Sequence, residues 1–141
     1  TVIFRTGFVM AADSEAVKKL LMPVKLFVGG PLGSGKQYIS WIHIDDLIAM
    51  YMFAIDNGNI RGIYNASAPN PQTNALFTKH AAKLLKRPAF MPVPSFVIKA
   101  VLGEMSTVVL DGRRAMPGKI INAGFKFRFE HDAEAWKDIL V

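Results

Sequence analysis

Apolar positions in the first 86 residues recur now with strand period, now with helix period, and the alternation predicts the elements. Val2–Met10 is a nearly continuous apolar run broken at Arg5-Thr6-Gly7, as expected of a strand buried on both faces. Ala16, Val17, Leu20 and Leu21 then fall at helical spacing behind Asp13 and Ser14, either of which supplies a cap, and Pro23 stops the helix. Lys25–Val28 reads as a short strand entering the glycine turn that spans residues 29–35. A strand from Gln37 to Ile42 follows, then a helix capped by Asp45 or Asp46. On it Leu47, Ile48, Tyr51, Met52 and Ile55 form one apolar face, and Asn57-Gly58 ends it. Ile60–Ala66 is a further strand. Thr73 caps a helix that turns Leu76, Phe77, His80, Ala81, Leu84 and Leu85 inward.

Beyond Arg87-Pro88 the texture changes. Residues 90–94 are proline-rich and extended, Ser95–Leu102 is a short apolar helix, and Glu104–Asp111 a weaker one. Pro117 and Gly124 bracket a small helix. Phe125, Phe127 and Phe129 alternate with Lys126 and Arg128 as in a half-buried strand, which makes them core and not a base-stacking platform. Asp132 caps a last helix with Trp136, Ile139 and Leu140 inward. Strands alternating with helices over 1–86, followed by a mostly helical 87–141, define an α/β chain in two parts.

Composition narrows the function classes. The 141 residues, 51% apolar, can bury a core of their own, and no stretch is apolar enough to span a membrane. Without cysteine there is neither disulfide nor thiol chemistry, which fits a cytoplasmic protein. The chain opens inside an apparent strand without methionine, the expectation for a fragment. A net charge of +6 is scattered, and its densest group (Lys79, Lys83, Lys86, Arg87) is a solvated helix face; nucleic acid is not the expected partner. Three separated histidines give no metal constellation. Gly30, Gly35 and Lys36 have phosphate-loop spacing, but Gln37 stands where a magnesium-binding hydroxyl is needed and a strand follows where a helix is needed. The phosphate loop is rejected.

Five stretches carry a resemblance: Arg5-Thr6-Gly7-Phe8-Val9, the glycine turn running into Lys36-Gln37, Ser40-Trp41-Ile42-His43-Ile44-Asp45-Asp46-Leu47, Asn65–Pro71 with Thr73-Asn74, and Gly124-Phe125-Lys126-Phe127. Together they resemble the NAD(P)-dependent epimerase/dehydratase family, atypical short-chain dehydrogenase/reductases of nucleoside-diphosphate-sugar epimerase type. The similarity implies the C-terminal part of a Rossmann-like doubly wound sheet (1–86) plus a small, mostly helical substrate-side domain (87–141). It also implies an NAD(P) cofactor held mainly by an absent N-terminal half, a nucleotide-sugar substrate, and a homodimer. No glycine fingerprint G-x-G-x-x-G joins a strand to a helix, and no Tyr-x-x-x-Lys pair exists, since Ile42, Ile55 and Ala68 stand four residues after Tyr38, Tyr51 and Tyr64. The catalytic residues are therefore unknown. Some relatives are labelled cell-division inhibitors, so a non-catalytic regulatory protein on the same scaffold is the alternative.

By the same resemblance Gly7 and Val9 are backbone contacts to the cofactor, against plain strand packing. Trp41 and His43 share a strand face, either stacking on and hydrogen-bonding a substrate or serving as core tryptophan and structural histidine. Gln37, Ser40 and Asn65 are further substrate contacts, against hairpin and turn roles. Arg113 is a diphosphate partner, against simple exposure.

Overall fold

The computed structural model describes residues 1–25, 36–86 and 116–140, with Phe96 and Ala100 as isolated helical positions. The glycine turn, the elements expected over 87–115, and Arg113 lie outside the described residues.

Three two-stranded sheets organise what is described. β1 (Val2–Thr6) pairs in parallel with β5 (Gly62–Ala66), and β2 (Phe8–Met10) pairs in parallel with β4 (Trp41–His43). β3 (Tyr38–Ile39) and β6 (Gln72–Thr73) are antiparallel. The helices are α1 (Glu15–Lys25), α2 (Ile44–Asp56), α3 (Asn74–Leu85), α4 (Gly118–Asn122) and α5 (Asp132–Leu140).

Gly7 is where the first apolar run changes sheets. Its N–H donates to Ala66 C=O at 3.2 Å, and the next N–H, on Phe8, donates to Ser40 C=O at 2.8 Å. A Cβ on residue 7 would overlap the Ser40 carbonyl oxygen, so glycine is what lets the two backbones meet. The expected single strand is two, and its first half is not buried on both faces: Ile3, Arg5 and Thr6 are exposed. Gln37–Ile42 is likewise divided at Ser40. Before it the chain pairs with β6; Ser40 accepts from Phe8, and after it the chain pairs with β2.

The helices correct other expectations. α1 continues through Pro23 to Lys25, because a proline in the last turn removes one N–H without ending the remaining bonds; the strand expected from Lys25 does not begin there. Its cap is Ser14, whose Oγ accepts the Val17 N–H at 3.4 Å. α2 is capped by His43 and not by Asp45 or Asp46: the imidazole Nδ1 accepts the Asp45 N–H at 3.0 Å. Of the apolar face predicted for α2, Leu47 packs partly buried against the core, but Ile48, Tyr51, Met52 and Ile55 are exposed; the buried residues of the helix are Asp46 and Met50. Thr73 is the α3 cap by position but makes no side-chain cap bond, and Leu76 is exposed. Phe125–Phe129 alternates inward and outward without being a strand, since its backbone meets side chains instead of a ladder.

β4 separates two cores. Trp41 belongs to the first, with Phe8, Met10, Leu20, Phe77 and Trp136. Ile42 belongs to the second, with Met50, Tyr64, Ile120 and Phe125. Fully buried aromatic side chains such as Trp41, Trp136 and Phe77 each contribute about 2–3 kcal/mol of transfer free energy. Residues 116–140 thus complete both cores that residues 1–86 begin.

Candidate functional site

Of the expected site residues, Gly7 and Ser40 meet at the line where β1–β5 gives way to β2–β4, Val9, Trp41 and His43 lie in the β2–β4 pair beyond it, and Arg113 lies outside the described residues. In open α/β sheets ligands bind beyond the C-terminal ends of parallel strands where the connectivity changes. Gly7 and Ser40 touch there through their backbones, and Ala68 N–H donates to Trp41 C=O at 2.7 Å beside them. Val9 is half-buried, with its side chain against the second core. Gln37 sits just before β3, its carbonyl accepting the Asn74 N–H at 2.7 Å. Gln37 and Ser40 are brought to the same short antiparallel corner.

Trp41, His43 and Asn65 each hold another part of the chain. The Trp41 indole is fully enclosed and donates Nε1–H to the Asn70 carbonyl at 2.9 Å. Asn65 lies within β5, not at its end, and its amide donates to the Met116 carbonyl at 3.1 Å. His43 is 1% exposed and lies in β4 opposite Met10. Its Nδ1 must be the acceptor, because it faces the Asp45 N–H; Nε2–H therefore donates to Asp138 Oδ2 at 2.8 Å. The ring stacks on Phe129 with centroids 4.0 Å apart and planes 16° from parallel. These contacts fix one neutral tautomer.

Sequence reasoning did not reach Asp138, which lies 95 residues from His43 and meets it only through the packing of α5. Together His43, Asp45 and Asp138 offer three potential metal-ligand atoms within 4.8 Å of one another. The hydrogen bonds oppose that use. A histidine that binds a metal through Nε2 donates its other N–H outward, yet here Nδ1 is met by a donor. The group is a clamp. Beside it, Arg128, Phe129, Glu134, Lys137 and Asp138 line an open depression of about 410 Å³.

Three more polar ties run between the sheet region and residues 116–140. Asp46, 2% exposed, accepts the N–H groups of Arg128 and Phe129, both at 2.9 Å. Asn70 donates to the Glu130 carbonyl at 2.8 Å. His80 Nδ1 and Asp132 Oδ2 are 2.7 Å apart. Burial pushes the Asp132 carboxyl above its ordinary value, while the His80 hydrogen bond and charge and the amides of Asp132 and Ala133 pull it part of the way back.

Helix N-termini attract anions, but the first turns of α1, α2 and α5 carry Glu15, Asp45 with Asp46, and Asp132 with Glu134. Among the described helices, α3 and α4 begin without an acidic residue in the first turn.

This fold is α/β, the C-terminal part of a Rossmann-type structure. It superposes on the crystal structure of human epimerase family protein SDR39U1 (isoform2) with NADPH with a TM-score of 0.89 at 35% identity, over 99% of this chain and 48% of that one. The nucleoside-diphosphate sugar epimerase from Corynebacterium glutamicum matches with a TM-score of 0.72 at 28% identity, over 99% of this chain and 26% of that one. In sequence, the chain is 38% identical over 138 residues to the chloroplastic SDR39U1 homolog of Arabidopsis thaliana, 98% of this chain and 40% of that protein. Residues 93–139 match the domain of unknown function DUF1731. The chain is thus similar over nearly its whole length to epimerase family proteins, and it spans less than half the length of each of these relatives. No helix among the described residues is long and apolar enough to cross a membrane.

Proposed function

We propose that this chain is the C-terminal portion of an NAD(P)-dependent sugar-nucleotide epimerase- or dehydratase-like oxidoreductase and forms the substrate-side wall of its cleft. The observation that carries the reading is the seam at Gly7, where two parallel strand pairs diverge and leave backbone at the C-terminal ends of β1 and β5. Gly7 and Val9 present backbone to the nicotinamide end of the cofactor, and Gln37 and Ser40 present polar groups to the substrate. Trp41, His43 and Asn65 set the wall's shape from behind, and Arg113 pairs with the diphosphate. The dinucleotide supplies hydride transfer; its phosphates are held by the N-terminal half, since the first turns of α1, α2 and α5 are acidic and no glycine fingerprint joins a strand to a helix in this sequence. The NADPH in the human relative's crystal structure supports that cofactor class.

Calorimetry tests the reading. The 141-residue chain shows no micromolar binding of NADPH, whereas the longer polypeptide binds it and interconverts or dehydrates at least one nucleotide-diphosphate sugar. Micromolar binding to the 141-residue chain would overturn the division of labour. A second reading, a non-catalytic regulatory protein on this scaffold, draws on the internal engagement of Trp41, His43 and Asn65. It predicts a longer polypeptide without turnover on that panel that retains a protein partner.

A further inference from the structure

The turn between α2 and β5 sets an exposed asparagine before a glycine that the described fold does not require. Asn57 is the C-cap of α2, and both it and Gly58 are exposed. Unlike Gly7, Gly58 has no close neighbour: a Cβ built on it meets nothing within 4 Å, and its φ is not positive. Its N–H has no hydrogen-bond partner among the described residues. With no Cβ to shield it, a glycine nitrogen reaches the side-chain carbonyl of the preceding residue more easily than any other residue's does.

Asn57 is also the one asparagine in the sequence that glycine follows. Each of the others is guarded. Asn59 precedes β-branched Ile60, whose N–H is bonded to the Asn57 carbonyl at 3.2 Å. Asn65 lies within β5 with its amide on the Met116 carbonyl. Asn70 precedes Pro71, which has no N–H, and Asn74 is buried. Asn122 precedes Ala123, whose N–H is bonded to the Lys119 carbonyl at 3.2 Å.

We propose that Asn57-Gly58 is a site of spontaneous covalent modification, deamidation through a cyclic imide to aspartate and isoaspartate. Hydroxide takes the proton of the Gly58 amide, and the nitrogen attacks Asn57 Cγ. The Cγ–Nδ2 bond breaks, and the amide leaves as ammonia with a proton returned by water. Water then opens the imide. Cleavage of the bond from Cγ to the Gly58 nitrogen gives aspartate, and cleavage of the bond from the main-chain carbonyl to that nitrogen gives isoaspartate. The net change is amide plus water to carboxylate plus ammonium.

Either product removes the Asn57 amide that donates to the Phe53 carbonyl at 2.9 Å and sets a carboxylate against that carbonyl. The new charge joins Asp56 at the negative end of α2, whose last turn holds no basic residue. Isoaspartate also inserts a carbon into the main chain of the turn that Ile60 N–H closes, just ahead of β5. The modification therefore loosens the entry to the strand that pairs with β1. It depends neither on the cofactor nor on the reaction of the longer polypeptide.

Peptide mapping of the folded 141-residue chain after incubation at mildly alkaline pH tests it. Asn57 becomes the acid, as aspartate and isoaspartate together, at least about tenfold faster than any other asparagine, a difference of about 1.4 kcal/mol in the barrier. The rate rises with pH, because hydroxide starts the step. Gly58→Ala, for which the structure has room, slows the conversion at least about tenfold and leaves the circular dichroism spectrum unchanged. Conversion in the urea-unfolded chain but not in the folded one overturns the proposal, since the bond to Phe53 then holds the amide out of reach. So does conversion in the folded chain that proceeds equally fast in Gly58→Ala.

Discussion

At Gly7 the absence of a side chain decides which strands pair. The Ser40 carbonyl passes so close that any Cβ would displace it, and the bonds on either side hand the chain from β5 to β4. Gly7→Ala therefore lowers stability by about 2 kcal/mol or more, the scale of overpacking at a site that cannot relax, measured by urea unfolding. A change within about half a kcal/mol would show that the two backbones can separate freely. In the sequence Gly7 was a break in an apolar run and an expected cofactor contact; no local pattern says which backbone approaches it. His43 illustrates the same limit. Its place on a strand beside Trp41 was legible; its partners, Asp138 on α5 and Phe129 before it, come from 95 and 86 residues away and left no local signal.

Elements are tied together here by buried carboxylates. Asp46 was readable as an architectural aspartate at the start of a helix, yet its carboxylate caps nothing on α2 and instead takes two N–H groups from Arg128 and Phe129. Asp46→Ala strands both donors and costs about 3 kcal/mol by urea unfolding, with Asp46→Asn intermediate because one acceptor remains. A loss below about 1 kcal/mol would mean that water reaches those amides. Asp132 joins α5 to His80 of α3, and its raised pKa gives the tie a pH signature. The folded chain holds that proton more tightly than the unfolded chain does. The group's contribution is thus complete below its ordinary value of 3.8 and is lost as the pH rises through the higher folded value. In urea titrations from about pH 3 to about pH 7, the stability of the parent chain relative to Asp132→Asn falls across that window. A difference that stays flat or rises with pH refutes the assignment.

Across the molecule, β1 and α2 read differently once their neighbours are in place. A strand buried on both faces was expected of Val2–Met10 and an inward apolar face of the stripe from Ile48 to Ile55, because such patterns are made to be covered. In the described structure Phe8 and Met10 are buried, but Ile3, Arg5 and Thr6 of the same run and Ile48, Tyr51, Met52 and Ile55 of the stripe are exposed. The binding experiment with NADPH belongs to the same level, since it asks which part of the polypeptide holds the cofactor's phosphates.

Period and punctuation along the chain determined the α/β class, the helix carrying Val17, Leu20 and Leu21, the last helix with Trp136 inward, and the small helix between Pro117 and Gly124. These depend on bonds and contacts within a few residues, which local sequence encodes. Tertiary structure alone decided that the strand ending at Ile42 divides at Ser40 and that His43 caps α2. It also decided that the phenylalanines from 125 to 129 hang on Asp46 instead of a ladder. At Ser40 and at Arg128 and Phe129 a backbone group found its partner tens of residues away. The His43 cap is local, but the ring is held in place by Asp138 and Phe129, far along the chain, and no local pattern names a partner that only folding brings near.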